Sequence, residues 1–371
     1  MALNQHQQLY EAIQKSNNPL ITFRQDHNGD VIAGSLALAE LLSKMGRSAE
    51  IVSPEFELPS TYKFLPKAAS IQKQVNNLKK IIISLEIENQ KHPEIDYQIE
   101  DNRLHIHVHP EKSTFSKNNI RINDNHYRYD LIIALNTPDL ESLGSLYFDN
   151  TDFFYQVPII NIDHSPDNEH YGHINAINLT ASSVSEIIYD FVEQVDSKLL
   201  DEPIATYLLT GMVEKTKSFK IPSVTPKSLN IASQLVAAGA QRDSIVQNLY
   251  QKQTVNALKL WGRVLMNLKT DDQQKIAWAE VTQDDFQETN SRSQDLIGAI
   301  DELISSIPTV EITALFHEDK GKKFCIVKAE KPIDLCYRFN QYNPLGSKNL
   351  ISFELTTQPL DIINHIQEFL Y

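Results

Sequence analysis

The apolar and polar positions along the chain change period several times, and each change marks an element. Residues 5–16 recur with helical spacing, and 19–23 form a short apolar run that breaks at the polar stretch 24–30. Residues 31–45 are rich in Ala and Leu at helical spacing, and 48–52 read as another strand. Strand, polar turn, helix, strand is the order of a parallel α/β sheet. Residues 80–87 and 103–109 instead alternate at period two between loop-rich stretches, which predicts a β-rich insertion at about 66–128. The α/β pattern resumes with strands at 129–136 and 157–164, both ending in polar residues, and then helices near 182–199, 203–213, 226–239 and 242–269. The tail reads as strands near 309–316, 323–328, 334–339 and 350–356, with a closing helix after Pro359. The expected fold class is therefore α/β: a doubly wound, mostly parallel sheet over 1–252 interrupted by the insertion, a helical linker over 253–307, and a smaller α+β domain over 308–371. A cleft is expected between the two domains.

Composition narrows the classes. At 371 residues the chain suits two domains of roughly 150 residues or more. With 41% hydrophobic and 22% charged residues it can bury sizeable cores, which excludes a fibrous or broadly disordered chain. Lys and Arg number 34 against 48 Asp and Glu, a net charge of −14 that repels long duplex nucleic acid. The two cysteines, Cys325 and Cys336, fit neither a disulfide framework nor a cysteine-rich metal site and read as core residues on strands. No apolar run approaches the roughly 18 to 20 residues that cross a bilayer, and the first residues lack the order of a secretory signal, so the expected location is cytoplasmic.

Three strand ends gather polar groups: Asp26, Asn28 and Asp30; Asn136; and Asp163 with His164. In a parallel sheet these ends share one edge and can converge on one site. Carboxylates with an imidazole there suit a phosphoesterase using Mn²⁺ or Mg²⁺. A separate signal, His105, His107 and His109, alternates along a strand of the insertion and presents one imidazole face, read as a solvated face in preference to a Zn²⁺ or Ni²⁺ site. Tyr127, Tyr129, Phe153, Phe154 and Tyr155 are expected to pack between insertion and sheet.

Four segments, ITFRQDHNGDVIAGSLAL (21–38), DLIIALNTPDLESLG (130–144), IINIDHSPDNEHYGHINAIN (159–178) and GMVEKTKSF (211–219), resemble in order and spacing the motifs of the DHH phosphoesterase superfamily. That group includes oligoribonucleases, phosphoadenosine phosphatases, cyclic-dinucleotide phosphodiesterases and single-strand exonucleases. The resemblance covers about 20–270 outside the insertion, and it implies that the tail is the associated substrate-binding domain. It also implies a two-metal site at Arg24, Asn28, Asp30, Asn136, His164 and Lys215, but most of these depart from the family pattern. The family's first-motif His is Arg24, and the first carboxylate of its Asp-Gly-Asp triplet is Asn28, leaving Asp30. The second-motif Asp is Asn136, Asp-His-His becomes Asp163-His164-Ser165, and the fourth-motif Asp is Lys215.

Asp30 and Asp163 contribute two negative charges, and Arg24 and Lys215 two positive ones, so the site balances without metal. A unit charge about 4 Å from a divalent ion costs several kcal/mol even at an effective dielectric near 20. Arg24 and Lys215 are thus expected to replace the cations, pairing with Asp30 and cradling a phosphate, with a purely structural ion-pair network as the competing reading. In the tail, Arg338 resembles a family arginine and offers a bidentate phosphate contact, a plain surface arginine being the alternative. The family's Gly-Gly-Gly-His is absent, and 343–349 keep one glycine. The expected function is a non-hydrolytic nucleotide- or phosphate-binding, or interaction, protein with no cofactor. The alternative is an active Mn²⁺- or Mg²⁺-dependent phosphodiesterase or phosphatase with Asp30 and His164 as ligands. Expected partners are a small nucleotide or a protein, with neither duplex nor membrane; a homodimer follows only from the family resemblance. A third reading makes the insertion a partner-binding scaffold.

Overall fold

The computed structural model describes residues 5–24, 27–86, 94–109, 120–250, 254–302, 307–319 and 321–371. Asp26, named above at the first strand end, lies outside them. The chain divides into two compact units, Met1–Gln251 and Lys252–Tyr371.

The first unit opens with α1 (Gln5–Lys15), β1 (Pro19–Phe23), α2 (Gly29–Lys44) and β2 (Glu50–Val52). The insertion follows as β3 (Lys79–Leu85), β4 (Glu94–Glu100), β5 (Arg103–His109) and β6 (Ile120–Tyr127). Next come β7 (Leu131–Leu135), α3 (Ser145–Phe148), α4 (Thr151–Gln156), β8 (Ile159–Asp163) and β9 (Ile174–Ile177). Four helices complete it: α5 (Val184–Asp196), α6 (Glu202–Lys215), α7 (Pro226–Ala237) and α8 (Arg242–Tyr250). Strands β2-β1-β7-β8-β9 form a sheet in that order, and every pairing is parallel.

β1, β7 and β8 are buried throughout because both sheet faces are covered, which is why they read as unbroken apolar runs. Ile21, Phe23, Ile133, Leu135 and Ile160 join the core formed with α2, α5 and α6. Leu20, Ile132 and Ile159 join the opposite core with Leu146 of α3 and Phe153 of α4. The chain leaves β1 toward β2 and returns to β7 on the other side, so the strand order reverses between β1 and β7. Helices on opposite sides of such a reversal open a crevice at the strands' C-terminal ends.

The insertion consists of two antiparallel ribbons, β3 with β6 and β4 with β5. Tyr127, at the end of β6, sets its ring 5.0 Å from that of Phe153, and Tyr129 packs on the same ring at 6.3 Å. Phe154 is buried beside them, whereas Tyr155 is 75% exposed and does not take part, because α4 turns it away from the core. His105, His107 and His109 lie exposed on β5, with His109 Nε2 3.0 Å from Asp96.

The second unit contains α9 (Val255–Met266), β10 (Lys269–Thr270), β11 (Ile276–Val281), α10 (Gln283–Thr289) and α11 (Asp295–Glu302). It continues through β12 (Ile312–Asp319), β13 (Lys322–Ala329), α12 (Leu335–Arg338), β14 (Leu345–Ser347), β15 (Leu350–Glu354) and α13 (Pro359–Leu370). One mixed sheet runs β10-β11-β12-β13-β15-β14, with β11 and β12 parallel and the other pairs antiparallel. Its faces are covered by α12 and α13 on one side and by α9 and α11 on the other.

Three expectations are corrected here. The stretch 253–307 is not a helical linker: β11 pairs with β12 from Ile276↔Ile312 onward and supplies Ile276, Ala277 and Ala279 to the cores of the second unit. The helix expected over 242–269 is two helices, because Thr254 caps a fresh start, its Oγ1 accepting from Ala257 N at 3.1 Å. Residues 334–339 are not a strand, since Asp334 Oδ1 accepts from Tyr337 N at 3.0 Å and turns the chain into α12. Cys336 therefore lies on a helix, while Cys325 is a fully buried strand residue. Among the described residues no helix is long and apolar enough to cross a membrane.

Candidate functional site

The strand ends do converge. β8 delivers Asp163 and His164 to the C-terminal edge of the sheet, and α2 carries Asp30 in its first turn. Asp30, Asp163 and Lys215 all act electrostatically on the imidazole of His164. Arg24 follows β1 on the same edge and is half-buried. Asn136 follows β7 in the left-handed region, φ +45°, where Asn is better tolerated than most residues, and its N–H donates to Ile162 O at 2.9 Å.

Each carboxylate of the site has a defined structural partner set. Asp30 is 1% exposed and reaches across to the start of α5. Its Oδ2 accepts from Val184 N at 2.7 Å, and its Oδ1 accepts from Ser185 N at 3.1 Å and Ser185 Oγ at 2.6 Å. Asp30 thus satisfies backbone donors that a helix start leaves open and places negative charge at the positive end of the helix. Asp163 is fully buried; its Oδ1 accepts from the N–H of His164 at 2.6 Å and of Ser165 at 3.0 Å, and its Oδ2 accepts from Asn168 Nδ2 at 2.7 Å. Asn168 continues to Thr137 O at 3.1 Å and accepts from Asn161 Nδ2 at 2.7 Å, tying β7 and β8 to the turn after β8. Asn28 is committed as the N-cap of α2, its Oδ1 accepting from Val31 N at 3.2 Å.

Two residues not anticipated from the sequence complete the site. Glu214, beside Lys215 at the end of α6, faces the first turn of α2, where the N–H groups of Gly29 and Asp30 act on its carboxyl. Burial and then the charge of Asp30 push its carboxyl above the usual range, against the pull of Lys215 and those two N–H groups. Its Oε2 is buried without a hydrogen-bond partner. Tyr62 stands against Glu214, and burial followed by that acidic neighbour raises its hydroxyl well above the ordinary value. A Cβ at Gly29 would lie 2.2 Å from the Tyr62 Oη, and one at Gly211 would lie 2.0 Å from Ser185 Oγ and 2.7 Å from Asp30 Oδ1. The glycines of the first and fourth motifs therefore let α2 and α6 close around this cluster. Glu214 adjoins the odd Lys215 in sequence, which was the signal available; Tyr62 ends a short 3-10 helix, Ser60–Tyr62, with none.

The imidazole of His164 is pushed below its usual pKa. Burial is the largest cause, the ammonium of Lys215 adds to it, and Asp30 and Asp163 oppose both. Its Nε2 is buried and has no hydrogen-bond partner. Lys215 is half-buried at the last position of α6, within electrostatic range of His164 and Glu214.

Arg338 belongs to the second unit and is not aligned on a strand. It ends α12, with its guanidinium carbon 5.2 Å from the centre of the Phe369 ring and its carbonyl hydrogen-bonded to His365 at 3.0 Å. A guanidinium over a ring face is a packing contact in its own right.

These residues do not fit a two-metal centre. The oxygens of Asp30 and Asp163 already accept from fixed donors, and a cation stands where the fourth carboxylate is expected. Among the described residues no group of three or more His, Cys, Asp or Glu side chains is placed to hold a metal ion.

No family model matches the chain. It is 29% identical over 206 residues to a probable bifunctional oligoribonuclease and PAP phosphatase NrnA of Streptococcus mutans, covering 53% of this chain and 61% of that protein. It is 25% identical over 183 residues to the bifunctional oligoribonuclease and PAP phosphatase NrnA of Bacillus subtilis, covering 48% and 56%. The match thus spans less than two thirds of either relative's length. Among solved structures, an exopolyphosphatase-related protein from Bacteroides fragilis has the same fold at a TM-score of 0.71, with 17% identity over 99% of this chain and 95% of that one. The chain is thus similar in sequence, at low identity, to proteins named as oligoribonuclease and PAP phosphatase NrnA and shares the fold of the Bacteroides protein, and among the described residues it has no intact metal-binding cluster.

Proposed function

We propose that the chain is a DHH-type protein that has given up two-metal hydrolysis and binds a phosphate or small nucleotide at the old strand-end site. One observation carries this reading: both remaining aspartates are committed to backbone and amide donors, while Lys215 stands beside His164, whose imidazole is pushed below its usual pKa. Most lone pairs of these carboxylates are already taken by fixed donors, and an ammonium beside an imidazole offers a phosphate one charged and one further hydrogen-bonding group. Arg24, on the same edge, is the second cation within this proposal.

The test is calorimetric, on metal-stripped protein, with Mn²⁺ and with inorganic phosphate or AMP. The expected result is no Mn²⁺ binding and phosphate binding that weakens in Lys215→Ala. A second reading is favoured by the unpartnered Nε2 of His164, which is free to ligate, and by the relatives named for oligoribonuclease and PAP phosphatase activity. Under it, Asp30 and His164 would hold one Mn²⁺ or Mg²⁺. Micromolar Mn²⁺ binding that disappears in His164→Ala, together with hydrolysis of short oligonucleotides, would establish that reading and reject the first.

A further inference from the structure

The β4–β5 ribbon of the insertion has two unlike faces. Its register sets Ile95 opposite Val108, Tyr97 opposite Ile106 and Ile99 opposite Leu104. Side chains alternate along a strand, so these three apolar pairs share one face. The pairs between them, Glu94 with His109, Asp96 with His107, Gln98 with His105 and Glu100 with Arg103, fill the other. Every Asp, Glu, His and Arg of the two strands therefore stands on the polar face, and the apolar face carries none.

Five of the six apolar side chains are exposed, from 47% at Ile106 to 71% at Ile99, and Val108 is half-buried. None of the six joins a hydrophobic core formed by the described residues. A two-stranded ribbon is marginal in water unless such a face packs on something, and large exposed apolar patches mark sites of association. β3 and β6 repeat the pattern: Ile83 lies opposite Ile122 and Leu85 opposite Ile120, and Ile83, Ile120 and Ile122 are exposed.

The chemistry of the ribbon selects its occupant. Surfaces that lie on lipid are rimmed with Lys and Arg, whereas residues 94–109 hold Glu94, Asp96, Glu100 and Asp101 against Arg103. A charged groove on another protein would have its charges desolvated against a face that offers none in return. A second copy of the ribbon matches in size, polarity and pattern. Turning one copy by half a turn about its strand direction lays β4 over β5 of the other. Tyr97 then meets Ile106 of the second copy, Ile95 meets Val108 and Ile99 meets Leu104, so the one aromatic side chain packs on an aliphatic one. The acid-bearing strand of each copy also runs along the His- and Arg-bearing strand of the other. Such a contact is isologous and closes at two chains. Side chains of this size remove on the order of 100 Å² each from water, more for Tyr, so the five exposed ones give roughly 500 Å² per copy and about 1,000 Å² in the pair, where specific interfaces begin.

We propose that the chain forms a two-fold dimer by packing the apolar faces of two β4–β5 ribbons against each other. No residue of the strand-end site takes part, so the dimer stands independently of the phosphate reading.

The test is sedimentation velocity of the full chain from about 1 to about 100 µM. A monomer–dimer equilibrium with a midpoint on the order of 10 µM is expected for an interface of this size. Below that concentration the ribbon is bare, and substitutions on it act on one chain alone. Tyr97→Asp sets a charge at the centre of the contact and should leave the chain monomeric throughout. Ile95→Thr with Ile99→Thr keeps β-branched residues on the strand and should weaken the dimer about tenfold, which keeps the test open if Tyr97→Asp disturbs the ribbon. His105→Thr, on the polar face, should leave the midpoint within about twofold. A chain that stays monomeric over the whole range would overturn the proposal. So would a dimer that survives both face variants, which would put the contact elsewhere, or one lost equally in His105→Thr.

Discussion

Asp30 shows at the scale of one residue how a buried carboxylate at a strand-end site serves the fold. Its three hydrogen bonds hold the start of α5, and a buried carboxylate accepting from N–H and O–H groups forms the stronger, charge-assisted kind of bond. Asp30→Ala removes both acceptor oxygens and all three bonds and leaves two buried N–H groups open, so a loss of about 2–4 kcal/mol in urea unfolding is expected. Gly211→Ala offers a second check. Alanine favours a helix over glycine by about 1 kcal/mol, yet the added methyl would meet Ser185 Oγ and Asp30 Oδ1, so net destabilisation of about 1–3 kcal/mol is expected. Ser185→Gly in the same chain should return part of it by vacating the nearer contact. The titration of His164 has a definite sign. Its folded pKa lies below its unfolded value, so the unfolded chain binds the extra proton first as pH falls. The stability this adds is present above about pH 6.5 and is lost as pH falls through the folded pKa. In His164→Gln that part of the pH dependence should vanish, and unfolding curves across that range would show it.

Between elements, the boundaries legible in the sequence were those set by burial on both faces or by a cap. β1, β7 and β8 are continuous apolar runs because helices cover them on two sides, and α2 and α6 begin at the capping residues Asn28 and Asp201. The failures have equally local causes. The alternation of 276–281 was hidden between two polar stretches, and only its long-range parallel partner β12 makes it a strand. At the site, the positions of Asp30, Asp163, His164 and Lys215 were legible from motif spacing. Their partners were not, because Ser185, Asn168, Glu214 and Tyr62 arrive from elements distant in sequence. The β4–β5 ribbon carries Ile95, Tyr97 and Ile99 exposed by 66%, 69% and 71%, opposite Val108, Ile106 and Leu104. Side chains so exposed contribute little to folding, so Ile95→Thr with Ile99→Thr should shift stability by no more than about 0.5 kcal/mol each. A larger loss would mean that a protein surface covers this face in solution, as the scaffold reading of the insertion requires.

On the scale of the whole molecule, each unit has its own two-faced sheet and its own pair of cores, and each core is built from residues of that unit alone. Stability should therefore be held separately in the two units. A core substitution in one, such as Ile133→Ala at a fully buried strand position, removes packing worth about 2–5 kcal/mol from the first unit and none from the second. Two reporters make this visible: the chain has two tryptophans, and both Trp261 and Trp278 lie in the second unit. Tryptophan fluorescence in urea then follows the second unit alone, whereas far-ultraviolet circular dichroism follows both. With Ile133→Ala the circular dichroism transition should move to lower urea or split, while the fluorescence midpoint stays where it is in the unsubstituted chain. If both signals instead move together, the two units unfold as one, and ligand binding in either would stabilise the other by the same linkage that joins binding to folding.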